Sequence, residues 1–263
     1  MITADVHTHS GFSSDSEEPL RNIAQAALSK GLKTICLTEH HDFDYPETGE
    51  FMLDVPAYRD ELLRVRDEFS GRLEVLFGVE LGLLSYMPDA LRGFAKSADF
   101  DFIIGSAHQI DGFDPYYPEY FEKMGGRNGI LHFFEEMLAS VKVFDDFDVL
   151  GHLDYIVRYS PEKCYDPLDY REVLDEILKL TVSKGRGIEI NSKGVSTLGY
   201  PHPHPFVLKR WKELGGEIVT VGSDAHEGAS VAADFDKAEQ ALKTSGFEYY
   251  TIFRKRKPEF IKL

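Results

Sequence analysis

The chain has 263 residues, 43% hydrophobic and 28% charged, enough to bury the core of one large α/β domain, and 45 acidic against 29 basic side chains leave a formal charge of -16. That balance excludes a general affinity for a nucleic-acid backbone or an anionic membrane, which reward clustered Lys and Arg, while a phosphorylated small molecule stays admissible if metal ions neutralise some carboxylates. The only two cysteines, Cys36 and Cys164, argue against a disulfide framework or a thiolate zinc site and read as structural, and no run approaches the roughly 20 apolar residues of a membrane span, so the chain reads as soluble and cytoplasmic.

Short apolar runs alternate with stretches of helical period along the whole length, the pattern of repeated βα units. In chain order the reading is strand 3–6, helix 18–29 with Pro19 in its first turn, strand 34–37, helix 56–69, strand 73–79, helix 88–96 and strand 102–105. It continues with helix 129–144, strand 149–150, helix 169–183, strand 187–190, helix 206–214, strand 218–221 and helix 230–244. Seven such strands predict an incomplete or distorted parallel barrel, a single domain over residues 1–263. Two connections, 40–55 and 109–128, exceed the usual length, and the second carries Tyr116, Tyr117, Tyr120 and Phe121. Long loops on this face shape binding sites. The tail 249–263 holds a short β-like run and the basic residues Arg254, Lys255, Arg256 and Lys257, read as a solvated terminus because no aromatic platform accompanies them.

The first strand ends in Asp5-Val6-His7-Thr8-His9, and alternate residues of an extended chain point the same way, so His7 and His9 are able to share one metal. One His-x-His is a weak signal. Nearly every later strand also ends in a ligand-type residue, however: Glu39 and His40, Glu80, His108, His152, then Asp224 and His226. A barrel gathers those ends around one pocket, and so many buried polar groups need metal to offset their desolvation. Imidazole with carboxylate suits Zn, Mn or Fe, without ranking them. The donors exceed the needs of one four-coordinate ion, which implies two or three divalent ions, with a carboxylate such as Glu80 able to bridge. Bridged ions are the machinery of phosphoester hydrolysis.

The segments DVHTH, TEHHD, GVE, GSAH, GHLDY and GSDAH occur in that order, and across residues 5–226 the chain resembles the PHP (polymerase and histidinol phosphatase) superfamily. The resemblance implies a distorted (β/α)7 TIM-like barrel with up to three metals. It assigns His7, His9, Glu80 and Asp224 to one ion, Glu80, His108 and His152 to a second, and Asp15, His40 and His226 to a third. Many relatives have His where this chain has Asp15. Asp5 and Glu39 match motif positions, and as hydrogen-bond acceptors they are expected to orient imidazoles such as His7 and His40. His41 and Asp42 abut the second motif, with contact to substrate and loop packing both open.

The expected chemistry is in-line attack on phosphorus by a metal-bridging hydroxide, with no covalent phosphoenzyme. Asp224 or His226 would protonate the departing alkoxide. Arg158, and after it Lys193, are expected to grip the phosphate. Chain length with TEHHDF, GSAHQIDG and GHLDY is closest to the histidinol-phosphatase branch, which implies L-histidinol phosphate as substrate, with Tyr116, Tyr117 and Tyr120 placed either to close over its imidazole or to pack their own loop. His202 and His204 read as a rigid loop rather than as further ligands. Two alternatives are a phosphoesterase acting on nucleotides or short oligonucleotides, and a metal-binding accessory module without turnover. The acidic surface speaks against long nucleic acids, and the full ligand set against the module.

Overall fold

A computed structural model of the protein describes residues 1–47, 49–161 and 165–263; Cys164 lies outside these. Seven strands form one all-parallel sheet in chain order: β1 (Ala4–Thr8), β2 (Thr34–His41), β3 (Glu74–Gly82), β4 (Phe102–Ser106), β5 (Val149–Leu150), β6 (Gly187–Asn191) and β7 (Val219–Gly222). Their residues are buried on both faces apart from the partly covered Glu74, which is why most read as continuous apolar runs rather than alternating ones. The helices α1 (Leu20–Ser29), α2 (Val55–Phe69), α3 (Pro88–Ala95), α4 (Pro118–Met124), α5 (Gly126–Val143), α6 (Arg171–Ser183), α7 (Gly194–Leu198), α8 (Pro205–Glu213) and α9 (Phe235–Thr244) lie in the connections. In α1, Leu20, Ile23, Ala24 and Ala27 make the buried stripe at helical spacing. Asp54 caps α2 by accepting from the Ala57 N–H, with Pro56 in the first turn. No helix among the described residues is long and apolar enough to cross a membrane.

The sheet nearly closes into a barrel where the C-terminal ends of β1 and β7 meet. Across that seam the Asp224 N–H donates to the His7 carbonyl at 2.8 Å and the His9 N–H to the Ala225 carbonyl at 2.8 Å. Strands β2 and β3 run past their apolar cores to His41 and Gly82, pairing His40 with Glu80. Backbone pairing therefore carries the polar strand ends as regular structure, beyond where hydrophobicity alone ends the strand.

The tail is only in part a solvated basic terminus. It folds into an antiparallel hairpin, β8 (Tyr249–Arg254) and β9 (Lys257–Lys262), under the N-terminal ends of the barrel strands. Arg254 forms a two-pronged pair with Glu74 at 2.6 Å, and Arg256 Nε reaches Asp148 at 2.6 Å. Arg254 and Arg256 answer acidic residues that begin β3 or precede β5, whereas the Lys255 and Lys257 side chains are exposed. The short helices α4 and α7 were likewise not expected, and α1 and α9 begin later than the pattern suggested, at Leu20 and Phe235.

Candidate metal centre

At the floor of the C-terminal mouth, Glu80 on β3 is fully buried and central. Its Oε1 accepts from Ser106 Oγ at 2.6 Å and faces His108 Nε2 at 3.1 Å and His152 Nε2 at 2.8 Å. Its Oε2 has no hydrogen-bond partner among the described residues, yet His7 Nε2 at 3.1 Å, His40 Nδ1 at 3.2 Å and His9 Nε2 at 3.4 Å surround it. Four overlapping donor groups result: His7, His9 and Asp224; His7, Glu80 and His152; His40, Glu80 and His108; His9, His40 and His226. Asp15 Oδ2 adds to the last, 2.8 Å from His226 Nε2 and 3.6 Å from His40 Nε2. All nine sequence-predicted ligands are therefore gathered, and His7, His9, His40 and Glu80 each belong to two groups.

The far sides of the rings decide which nitrogen points inward. His7 Nδ1 lies 2.6 Å from Glu189 Oε1, and His108 Nδ1 lies 2.9 Å from Asp42 Oδ1. Each carboxylate accepts a hydrogen bond from Nδ1–H, which keeps the proton on that nitrogen and leaves the Nε2 lone pair aimed at the centre. His9 Nδ1 donates to Ser13 Oγ at 3.2 Å, so His7 and His9 face each other through Nε2 atoms 3.0 Å apart. Two lone pairs at that distance, beside an unpartnered carboxylate oxygen, call for a cation between them. The residues fit divalent metal.

Electrostatics agree. Burial alone would raise Glu80, but His7, His108 and His40 hold it well below the ordinary carboxylate range. Asp224, whose φ of 54° places it in the left-handed region, is likewise held down against burial, by Lys193 and by His7. Burial would lower His7, yet Glu189 and Glu80 push it well up; His9, which lacks a carboxylate on its outer nitrogen, is pushed well down by burial and by His40 and His226.

Two expectations need correction. Asp5 and Glu39 touch no imidazole directly. Asp5 sits in the β1–β7 seam, accepting from the Ser223 N–H at 2.9 Å, Ser223 Oγ at 2.5 Å and the Ala232 N–H at 2.8 Å, so it fixes the loop bearing Asp224. Burial raises its pKa to about 6, against the pull of those bonds. Glu39 points toward the loop after β1 and binds Ser10 and Ser13; through Ser13 Oγ it reaches the His9 ring and the His40 backbone N–H rather than the His40 imidazole.

The rings are held instead by Glu189 and by Asp42, the former unremarked in the sequence as a partner to metal ligands. Its signal was an acid flanked by Ile188 and Ile190 in the run that forms β6. Glu189 Oε2 also accepts from the His152 N–H at 2.9 Å, so one carboxylate positions two predicted ligands. Both acids need room. A Cβ at Gly222 would lie 2.3 Å from His7 Cβ and 2.5 Å from Glu189 Oε1, and one at Gly82 would lie 2.0 Å from Asp42 Oδ1.

Above the centre lies a cavity of about 510 Å³, within the range of small-molecule sites. Arg158 lines it, its guanidinium 4.7 Å from the Tyr155 ring centre and 5.6 Å from that of Tyr159. Lys193 Nζ lies 3.2 Å from Asp224 Oδ1 and 3.2 Å from His226 Nδ1. Tyr116 and Tyr117 line the mouth, whereas Tyr120 is buried and donates to the Gly129 carbonyl at 2.7 Å, a packing role. His41 stacks on Phe94 with ring centres 3.7 Å apart. His202 is buried against Asp154 at 2.5 Å, and His204 caps α8 by accepting from the Phe206 N–H, both as loop structure.

A model of the PHP domain matches residues 5–193. A histidinol-phosphatase of Lactococcus lactis is 33% identical over 260 residues, covering 96% of this chain and 95% of its own. A probable histidinol-phosphatase of Clostridium acetobutylicum is 32% identical over 238 residues, covering 89% and 90%. The crystal structure of histidinol phosphate phosphatase from Lactococcus lactis, complexed with zinc, L-histidinol and phosphate, gives a TM-score of 0.91 at 31% identity over 98% of both chains.

Proposed function

This chain belongs to the PHP domain family, and we propose that it is a metal-dependent phosphomonoesterase that hydrolyses L-histidinol phosphate to L-histidinol and phosphate. The observation that carries the reading is the buried, unpartnered Oε2 of Glu80, ringed by imidazole nitrogens on the floor of an open cavity. The 33% identical relative named as a histidinol-phosphatase, matched over nearly its full length, supports the substrate.

Two or three divalent ions, drawn from Zn, Mn and Fe, would be held by His7, His9, Asp15, His40, Glu80, His108, His152, Asp224 and His226. Bound there, such ions acidify water and neutralise charge on phosphoryl oxygens. Arg158 supplies a planar fork for two of those oxygens, held to the wall by the Tyr155 and Tyr159 rings. Lys193 balances Asp224 and shares its charge with the bound phosphate. Both Asp224 and His226 line the cavity, and since Lys193 and His7 hold the Asp224 carboxyl well below the ordinary range, protonation of the leaving alkoxide falls to His226.

The test is phosphate release by metal-loaded protein from L-histidinol phosphate, phenyl phosphate and a 3',5'-bisphosphonucleotide. A specificity constant for L-histidinol phosphate well above the others is the expected result. Faster nucleotide hydrolysis would keep the chemistry and replace the substrate, and release from none would favour the accessory module.

A further inference from the structure

The loop after β6 runs through Pro201-His202-Pro203-His204-Pro205, and the loop after β5 opens with His152-Leu153-Asp154. Both histidines of the first meet one carboxylate of the second. Asp154 Oδ1 lies 2.5 Å from His202 Nδ1, and its Oδ2 accepts from the His204 N–H at 2.7 Å. The Asp154 and His202 side chains are fully buried, and His202 Nε2 has no hydrogen-bond partner among the described residues, so the ring is held through Nδ1 alone. Burying an acid against an imidazole costs desolvation that two packed apolar side chains would avoid. What the polar pair adds is direction, because a hydrogen bond fixes where one loop stands against the other and an apolar contact does not.

Each of these loops carries a cation that lines the cavity, Arg158 on one and Lys193 on the other. Asp154 leads directly into the helical turn Tyr155–Arg158, where the Val157 N–H donates to the Asp154 carbonyl at 3.1 Å. His202 pairs its backbone with that of Asn191 in both directions at 2.8 Å. The Asn191 side chain then holds the surroundings of Lys193: Oδ1 accepts from the Lys193 N–H at 3.0 Å, and Nδ2 donates to Asp224 Oδ2 at 3.3 Å, while Lys193 Nζ takes the other Asp224 oxygen at 3.2 Å. The fit is close, since a Cβ at Gly194 would lie 2.8 Å from His202 Cδ2. A continuous path thus runs from the Arg158 turn through Asp154, His202 and Asn191 to Lys193, and only its two ends line the cavity.

We propose that the buried Asp154–His202 pair positions Arg158 and Lys193 relative to each other, so that both cations reach one phosphoryl group. The inference rests on the phosphomonoesterase reading above but not on which alcohol departs, because the phosphoryl oxygens are common to every substrate of that class. Neither Asp154 nor His202 touches the substrate; they act through the two cations. A displacement on the order of 1 Å in such a group costs up to about 10²-fold in rate, which is the reason for a rigid polar brace behind it.

The experiment measures binding of inorganic phosphate by calorimetry, with KM and kcat for L-histidinol phosphate beside it, in the metal-loaded protein and its His202→Ala, His202→Asn and Lys193→Ala variants. His202→Ala is expected to weaken phosphate binding and raise KM about 10-fold, with metal content by mass spectrometry unchanged. In His202→Asn the amide Nδ2 takes the place of the ring Nδ1 and recovers most of the loss, which a ring that merely filled space would not allow. Combining His202→Ala with Lys193→Ala supplies the decisive readout: with Lys193 already displaced, its removal costs less phosphate affinity than it does in the unaltered protein. Additive losses, or a loss of metal with phosphate affinity unchanged, would overturn the inference. Should His202→Ala fail to fold by circular dichroism, Asp154→Asn, which keeps the volume and withdraws one acceptor, replaces it in the cycle under the same criterion. Failure of the unaltered protein to hydrolyse L-histidinol phosphate would overturn the substrate reading while phosphate binding still judged the brace, and failure to bind phosphate at all would overturn the brace as well.

Discussion

Glu80 meets more of the predicted ligands than any other side chain, since its two oxygens face five imidazoles. Its conversion to Gln is expected to remove metal, measured by mass spectrometry, and to lower kcat/KM by at least about 10²-fold, on the scale of losing one charged stabiliser of the transition state. Glu189→Ala is the subtler change. It strips the His7 ring and the His152 N–H of their acceptor, and metal affinity is expected to fall about 10- to 100-fold by competition with a chromophoric chelator, while added metal restores turnover. Unchanged affinity would mean that His7 keeps its orientation without the carboxylate. Eight of the nine proposed ligands were legible because each stands at the end of an apolar run within a short motif, whereas Asp15, in the polar loop after β1, came only from the family resemblance. The residues that orient them were less so, because Glu189 meets His7 only once β6, β7 and β1 are side by side, and Glu39 acts on His9 only through Ser13.

At the scale of elements, the hairpin β8–β9 is tied to the barrel through Arg256 and the buried Asp148, which also accepts from the Ile103 N–H at 2.8 Å. Removing the cation leaves the carboxylate buried without its partner, so Arg256→Ala is expected to cost about 3 kcal/mol by urea unfolding. Burial already raises Asp148 above its ordinary pKa, and the variant raises it further. The loss is therefore greatest at neutral pH and shrinks as acid neutralises Asp148. Adding Asp148→Asn to Arg256→Ala should recover part of it, and no recovery would place the effect elsewhere in the hairpin. The pair joining α8 to α6 behaves oppositely. Arg210 grips Asp175 with two bonds of 2.8 Å and holds its carboxyl below the usual 3.8. A depressed acid stabilises above its unfolded pKa and loses that contribution as pH falls through the folded one. Asp175→Asn should cost about 1 kcal/mol at pH 7. A difference from the unaltered protein that persists at pH 2 would contradict the assignment. Helices α4 and α7 escaped the sequence reading because they are short and sit in long loops, where Pro and Gly look like punctuation. The hairpin escaped because a basic run reads as solvated until the acids at the strand starts are placed beneath it.

For the whole molecule, the seven strands were readable as a distorted barrel because parallel strands buried on both faces leave unbroken apolar runs. The folded barrel crowds carboxylates and imidazoles that bound metal would stabilise. A chelator is expected to abolish turnover and lower the melting temperature by about 5–10 °C, the yield of one ion at a hundred times its dissociation constant in a protein of this size. Restored metal should reverse both. A melting temperature indifferent to metal would mean that no site of useful affinity exists.

The seam between β1 and β7 also sets a schedule. Asp5 is joined to Ser223 across 218 positions of chain, and His7 stands beside Asp224, so the first strand waits for the last. During synthesis the early strands can pair in order as they emerge, but the centre stays open on one side until β7 and the loop after it have emerged as well. A nascent or prematurely terminated chain accordingly carries His7, His9 and Glu80 without the residues that complete their coordination. Only a chain in which β7 has closed the seam would hold metal at the full proposed site.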